Sequence, residues 1–136
     1  MLGRLNHVAI AVTDLKSAAN TYRDILGAKV GEPLDQPEHG VTVVFIELPN
    51  TKVELITPLG ENSPIFNFLN KNKNGGIHHI CYEVKNLELS INILMKNNYK
   101  IIGDNPKIGA HGKPVIFLHP SGFDGTLIEL QEEWNY

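Results

Sequence analysis

Alternation of apolar and polar positions divides the chain into two similar runs. Residues 5–13 (LNHVAIAVT) alternate weakly and are rich in Val, Ile and Ala, which predicts a strand. Asp14 follows at a cap position. Leu15, Ala18, Ala19, Tyr22 and Leu26 then recur at helical spacing, and Gly27 closes the helix. Residues 29–34 predict a short strand and residues 35–40 (DQPEHG) a polar turn. Residues 41–48 and 52–57 predict a hairpin about Pro49 and Asn50. After a short helix, introduced by Asn62, Ser63 and Pro64 and carried by Ile65, Phe66 and Leu69, a polar stretch ends in Gly75 and Gly76. The first pattern then returns. Residues 77–85 predict a strand, Asn86 a cap, Leu87, Leu89, Ile91, Leu94 and Met95 a helix, and residues 100–102 a short strand. Residues 104–114 predict a Gly/Pro-rich loop, residues 115–119 and 126–131 two strands, and Trp134 and Tyr136 an aromatic tail.

The two β-α-β-β-β runs superimpose. His7-Val8-Ala9-Ile10 matches His79-Ile80-Cys81-Tyr82, and Val53-Glu54-Leu55 matches Ile128-Glu129-Leu130; His and Glu are 47 residues apart in the first run and 50 in the second. This predicts an α+β fold of two βαβββ modules, residues 1–60 and 75–136, joined by a short helix and linker at 61–74, within one domain. Two copies are too few for a solenoid. Strand parity puts Val8, Ile10 and Val12 on one face with the helix. His7, Ala9 and Ala11 share the other, which the small residues make roomy. Likewise Ile80, Tyr82 and Val84 pack, while His79, Cys81 and Glu83 face away, as do Glu54 and Glu129. If the modules build one curved mixed sheet, two His and two Glu share its concave face. That donor set suits one divalent ion with open positions, and buried carboxylates without a cation are costly. No HExxH or CxxC pattern points to a zincin or zinc ribbon.

Composition narrows the classes. The 136 residues suit one domain, and no apolar run is long enough to span a bilayer. Nothing resembles a signal peptide. A single cysteine, Cys81, excludes an internal disulfide framework and fits a reducing, cytoplasmic setting. A net charge of −3 without a Lys/Arg cluster argues against a nucleic-acid partner.

With these residues in view, the chain resembles the vicinal oxygen chelate (glyoxalase/bleomycin resistance/dioxygenase) superfamily and, within it, the methylmalonyl-CoA epimerase family. The resemblance is carried by LNHVAIAV (5–12), PEHGV (37–41), TKVELITPLGENSPI (51–65), NGGIHHICYEV (74–84) and KIGAHGKPVIFLHP (107–120). It implies an isomerase that interconverts the (R) and (S) forms of methylmalonyl-CoA by two-base proton transfer at C2, through an enolate stabilised by a metal. It further implies His7, Glu54, His79 and Glu129 as metal ligands, Glu38 and Glu129 as the two bases, and a homodimer. The metal is one divalent ion per chain; Co, Mn, Ni, Zn and Mg are not distinguished. Some family members carry Gln where Glu54 stands.

The other candidates are less defined. The loop 107–114 has backbone N–H groups and lysines that suit an anionic group of an acyl-CoA, which brings in Lys113, His111 and His119 as substrate contacts; a solvated connection explains them equally. His39 belongs at the mouth of the site or in solvent, His78 in packing, and Cys81 as a small buried filler. The alternative activity is that of a lactoylglutathione lyase, which uses the same ligand types. A metal-free binding module and a ring-cleaving dioxygenase fit a four-ligand set less well.

Overall fold

The apolar periodicities seen in the sequence become strands and helices in a computed structural model, which describes residues 1–134. Of the aromatic tail expected at Trp134 and Tyr136, Tyr136 lies outside the described residues. Those residues form nine strands and three α-helices, and parallel and antiparallel pairings are mixed, so the class is α+β. Among them no helix is long and apolar enough to cross a membrane. The chain divides into two compact units, His7–His78, and residues 1–6 together with those from His79 on.

In the first unit, strand β1 (Leu2–Ala11) contributes its second half. Helix α1 (Leu15–Asn20) follows, its N-terminus capped by the Asp14 carboxylate, which accepts from the Ser17 N–H at 3.0 Å. The predicted helix runs on to Ile25 as a turn of wider π geometry, in which the Leu26 N–H reaches Thr21 at 3.1 Å. Gly27, at φ 68°, ends it in a conformation that L side chains rarely adopt. The single strand expected at 29–34 is instead two, β2 (Lys29–Val30) and β3 (Leu34–Gln36), each pairing with β4 (Val41–Glu47). Strand β5 (Lys52–Pro58) returns antiparallel to β4 and parallel to β1. Helix α2 (Ile65–Lys71) completes the unit.

Both faces of this sheet are used. Ile10, Val12, Val44, Ile46 and Leu55 pack against Ala19 and Tyr22 on the α1 side. On the opposite face Ala9 and Ala11 meet Ile65, Phe68 and Leu69 of α2. The room left by the small side chains is therefore partly filled, because α2 covers the Ala11 end and leaves the His7 end to polar groups.

The second unit repeats the plan. Strand β6 (Gly76–Val84) leads to helix α3 (Leu87–Lys96). Two side chains from different elements cap α3: Asn86 accepts from the Leu89 N–H and Glu132 from the Leu87 N–H, each at 2.9 Å. Strand β7 (Ile101–Ile108) extends well into the expected loop. It carries no alternating apolar face, and its register against β8 (Pro114–Leu118) shifts between Ile102 and Lys107, so the sequence pattern does not announce it. Strand β9 (Ile128–Glu132) runs antiparallel to β8 and parallel to β6. Val84, Leu87, Ile116, Leu118, Ile128 and Leu130 form the buried core, with Ile91 and Leu94 of α3 packed on it.

Candidate functional site

The register of the parallel pairs decides which side chains meet. In the first unit Ala9 stands opposite Glu54, two residues along from His7. Side chains two apart on a strand share a face, so His7, Ala9 and Glu54 point the same way. The diagonal across the small Ala9 brings His7 Nδ1 within 2.8 Å of Glu54 Oε2. In the second unit Cys81 stands opposite Glu129, two residues along from His79. His79 Nε2 lies 3.3 Å from Glu129 Oε1. The same register therefore occurs twice: His, a small residue, and a Glu on the parallel neighbour strand. Ala9 and Cys81 are both fully buried, and His7, Glu54, His79 and Glu129 are each at most 6% exposed.

The repeat extends one strand further, to residues the sequence reading missed. Phe45 on β4 stands opposite Glu54, and Phe117 on β8 stands opposite Glu129. The Phe117 ring meets the His79 imidazole edge to face, with centroids 5.1 Å apart and planes at 86°. Such a contact holds the imidazole plane and walls the pair with an apolar surface. Its sequence signal is faint, because each Phe sits inside an apolar strand and only hairpin register identifies its partner.

Each pair offers one imidazole nitrogen and one carboxylate oxygen. A buried carboxylate is costly unless it is paired or holds a cation. Nitrogen and oxygen donors of this kind suit a borderline-to-hard divalent cation. The donor chemistry therefore fits a metal.

The remaining candidates are placed as follows. Glu38 is exposed in a 3-10 turn (Pro37–His39) at the tip of the β3–β4 hairpin. His78 packs edge to face on Phe68, 5.1 Å between centroids, which matches its expected packing role. Lys113 is exposed and His111 partly buried in the tight β7–β8 turn, closed by the Gly109 N–H on Lys113 O at 2.9 Å. His119 Nδ1 accepts from the Ser121 N–H at 3.1 Å. The imidazole thereby caps the turn Pro120–Gly122, a local task that the sequence reading did not foresee. Glu83, on the His79 face of β6, is buried and accepts from Asn6 Nδ2 at 2.9 Å.

Comparison with known proteins places this geometry. Residues 6–117 match the family described as the glyoxalase/bleomycin resistance protein/dioxygenase superfamily. An ethylmalonyl-CoA/methylmalonyl-CoA epimerase of Cereibacter sphaeroides is 61% identical over 133 residues, covering 97% of this chain and 99% of that protein. The mitochondrial methylmalonyl-CoA epimerase of Bos taurus is 57% identical, covering 96% of this chain and 75% of its own length. Among solved structures, a variant Streptomyces coelicolor methylmalonyl-CoA epimerase in complex with 2-nitronate-propionyl-CoA superposes with a TM-score of 0.91 at 27% identity, covering 98% of this chain and 99% of that one. On this identity, carried across nearly the whole of both chains, the chain belongs to the methylmalonyl-CoA epimerase family of the glyoxalase/bleomycin resistance protein/dioxygenase superfamily and is an isomerase of the epimerase type.

Proposed function

We propose that the protein interconverts the (R) and (S) epimers of methylmalonyl-CoA by proton transfer at C2, with one divalent ion per chain. The observation that carries this reading is the duplicated, buried His–Glu pair in one repeated register. The substrate follows the names of the relatives. Both curated proteins described above are epimerases of malonyl-CoA derivatives, which favours this activity over that of a lactoylglutathione lyase.

His7, Glu54, His79 and Glu129 are the proposed ligands. When bound, the ion supplies Lewis-acid stabilisation of the negative charge that develops on the thioester oxygen. The remaining work falls to the chain's own residues. The hydrogen at C2 lies between two carbonyl carbons, so a carboxylate is a strong enough base to remove it once the resulting charge is held. Inversion needs a proton taken from one side and returned on the other, which two bases achieve most simply. Glu129 is assigned one side. Glu38 is assigned the other; it stands on a different element, and its exposure leaves it free to exchange protons with solvent. His111 and Lys113, in the β7–β8 turn, and His119 remain candidates for contact with the acyl-CoA. The reading includes a homodimer and a cytoplasmic location, the latter in keeping with a single, buried cysteine.

The test is hydrogen exchange at C2. The purified protein, loaded with a divalent ion in deuterium oxide, is expected to place deuterium at C2 of methylmalonyl-CoA and to equilibrate the two epimers. Absence of both across Co, Mn, Ni, Zn and Mg refutes the reading, and turnover of the glutathione–methylglyoxal hemithioacetal in its place establishes the lyase.

A further inference from the structure

An exposed carboxylate on a hairpin tip makes a poor base unless something holds it. We propose that Ser63, acting through Gly40, is a positioning residue for Glu38. The inference rests on the reading of Glu38 as a base.

The tip is fixed at both ends by contacts that the hairpin itself does not require. The last backbone pair of the hairpin is Gln36 with Val41, which leaves Pro37, Glu38, His39 and Gly40 to turn the chain. On one side Thr42 Oγ1 donates to Asp35 Oδ1 at 2.8 Å and ties the two strands just below the turn. On the other side the Gly40 carbonyl accepts twice, from the Ser63 hydroxyl and from the Leu59 N–H, the latter at 2.8 Å. Ser63 is 6% exposed. Its oxygen also accepts from the Ile65 N–H at 3.3 Å, so the hydroxyl is anchored to the start of α2 while it donates to the turn.

Gly40 is matched to this arrangement. Its φ of 66° is left-handed, and the Gly40 N–H closes the turn onto Pro37 O at 3.2 Å. A Cβ there would lie 3.1 Å from Ser63 Cα and 3.2 Å from Pro64 Cδ, against atoms that cannot swing away. The turn thus lies directly on the Ser63–Pro64 backbone, and a side chain at position 40 would both strain the turn and press on that backbone. Helix α2 is in turn held by Ile65, 2% exposed in the core beneath Ala9 and Ala11. Glu38 is therefore mounted, through Gly40 and Ser63, on the same sheet face that carries His7 and Glu54. A base must hold its geometry to within a fraction of an ångström of the hydrogen it removes. A buried side chain that donates to a turn, between an exposed acid and the core, supplies that constraint.

The test compares Ser63→Ala, Ser63→Thr and Glu38→Gln in the metal-loaded full chain. The turnover number is expected to fall about 10–100-fold in Ser63→Ala, the scale of a misplacement near 1 Å, with KM little changed. Deuterium wash-in, measured from each pure epimer separately, is expected to slow for the epimer whose hydrogen Glu38 removes and to persist for the other. Metal affinity is expected to stay at the wild-type value, and Ser63→Thr, which keeps the hydroxyl, to restore most of the turnover. Wild-type turnover in Ser63→Ala beside an inactive Glu38→Gln overturns the inference and leaves the reading of Glu38 intact. Full activity in Glu38→Gln overturns that reading itself. Equal slowing of wash-in from both epimers shows a general loss of structure and also overturns the inference. Should Ser63→Ala not fold, Ser63→Cys, of similar volume and weaker as a donor, carries the same test with the same outcomes.

Discussion

Ala9 is the most informative position for a substitution outside the polar residues. It is fully buried, it stands opposite Glu54, and His7 reaches that carboxylate across it. Ala9→Val adds two methyl groups to a slot already lined by Val43, Ile56 and Ile65. Overpacking of a closed core costs about 1–3 kcal/mol, and the β-branch itself is at home on a strand, so the lower half of that range is expected. The functional effect is separate. The added methyls stand in the diagonal between His7 and Glu54 and force one of them aside. Disturbing the supports of metal ligands typically costs about 10–100-fold in metal affinity, and that loss is expected here. Urea unfolding in chelator gives the first number, and calorimetric titration with a divalent ion gives the second. A variant destabilised by the expected amount but binding metal as the wild type refutes the idea that the small residue exists to let the pair meet. Cys81→Val is the matching experiment in the second unit, with a smaller effect in the same direction expected, because the cysteine sulfur already fills part of the slot.

The remaining predictions concern single groups. Glu129→Gln is expected to abolish epimerisation and weaken metal binding, whereas Glu38→Gln is expected to abolish it with metal affinity unchanged; activity and titration of the two variants side by side separate ligand from base. Asn86→Ala removes one of the two caps of α3 and is expected to cost about 1 kcal/mol in urea unfolding; Glu132 still accepts from the Leu87 N–H, so no larger loss is expected. Leu130→Ala opens a cavity in the core of the second unit, where Leu130 is 1% exposed, and is expected to cost about 2–5 kcal/mol by the same assay.

Much of this was legible along the chain because the repeat made it so. A lone His7 beside Val8 carries little information, but a second His with a second Glu at nearly the same separation defines strands, faces and a donor set together. Caps were equally readable, since Asp14 and Asn86 act within three residues of themselves. What escaped was tertiary or irregular. Strand β3 and the far half of β7 lack alternation, because an exposed strand on the margin of a sheet has no buried face to write into the sequence. Phe45 and Phe117 depend on cross-strand register, which composition does not encode. Ser63 shares with Asn62 the reading as a helix cap, and its bond to Gly40 spans 23 residues that only the folded chain brings together.

The parallel pairings of β1 with β5 and of β6 with β9 also bear on how the protein is made. In each unit the histidine belongs to the first strand and the glutamate to the last, so neither pair exists until the whole unit has been traversed and its closing strand has docked. Such long-range pairings are slow steps, because loop closure precedes any reward from contact. During synthesis the His7–Glu54 pair becomes available once β5 has emerged, while His79 waits for β9, almost the whole remaining length. The polar centre is thus the last thing each unit assembles, and a partly folded chain presents isolated histidines rather than a half-built site.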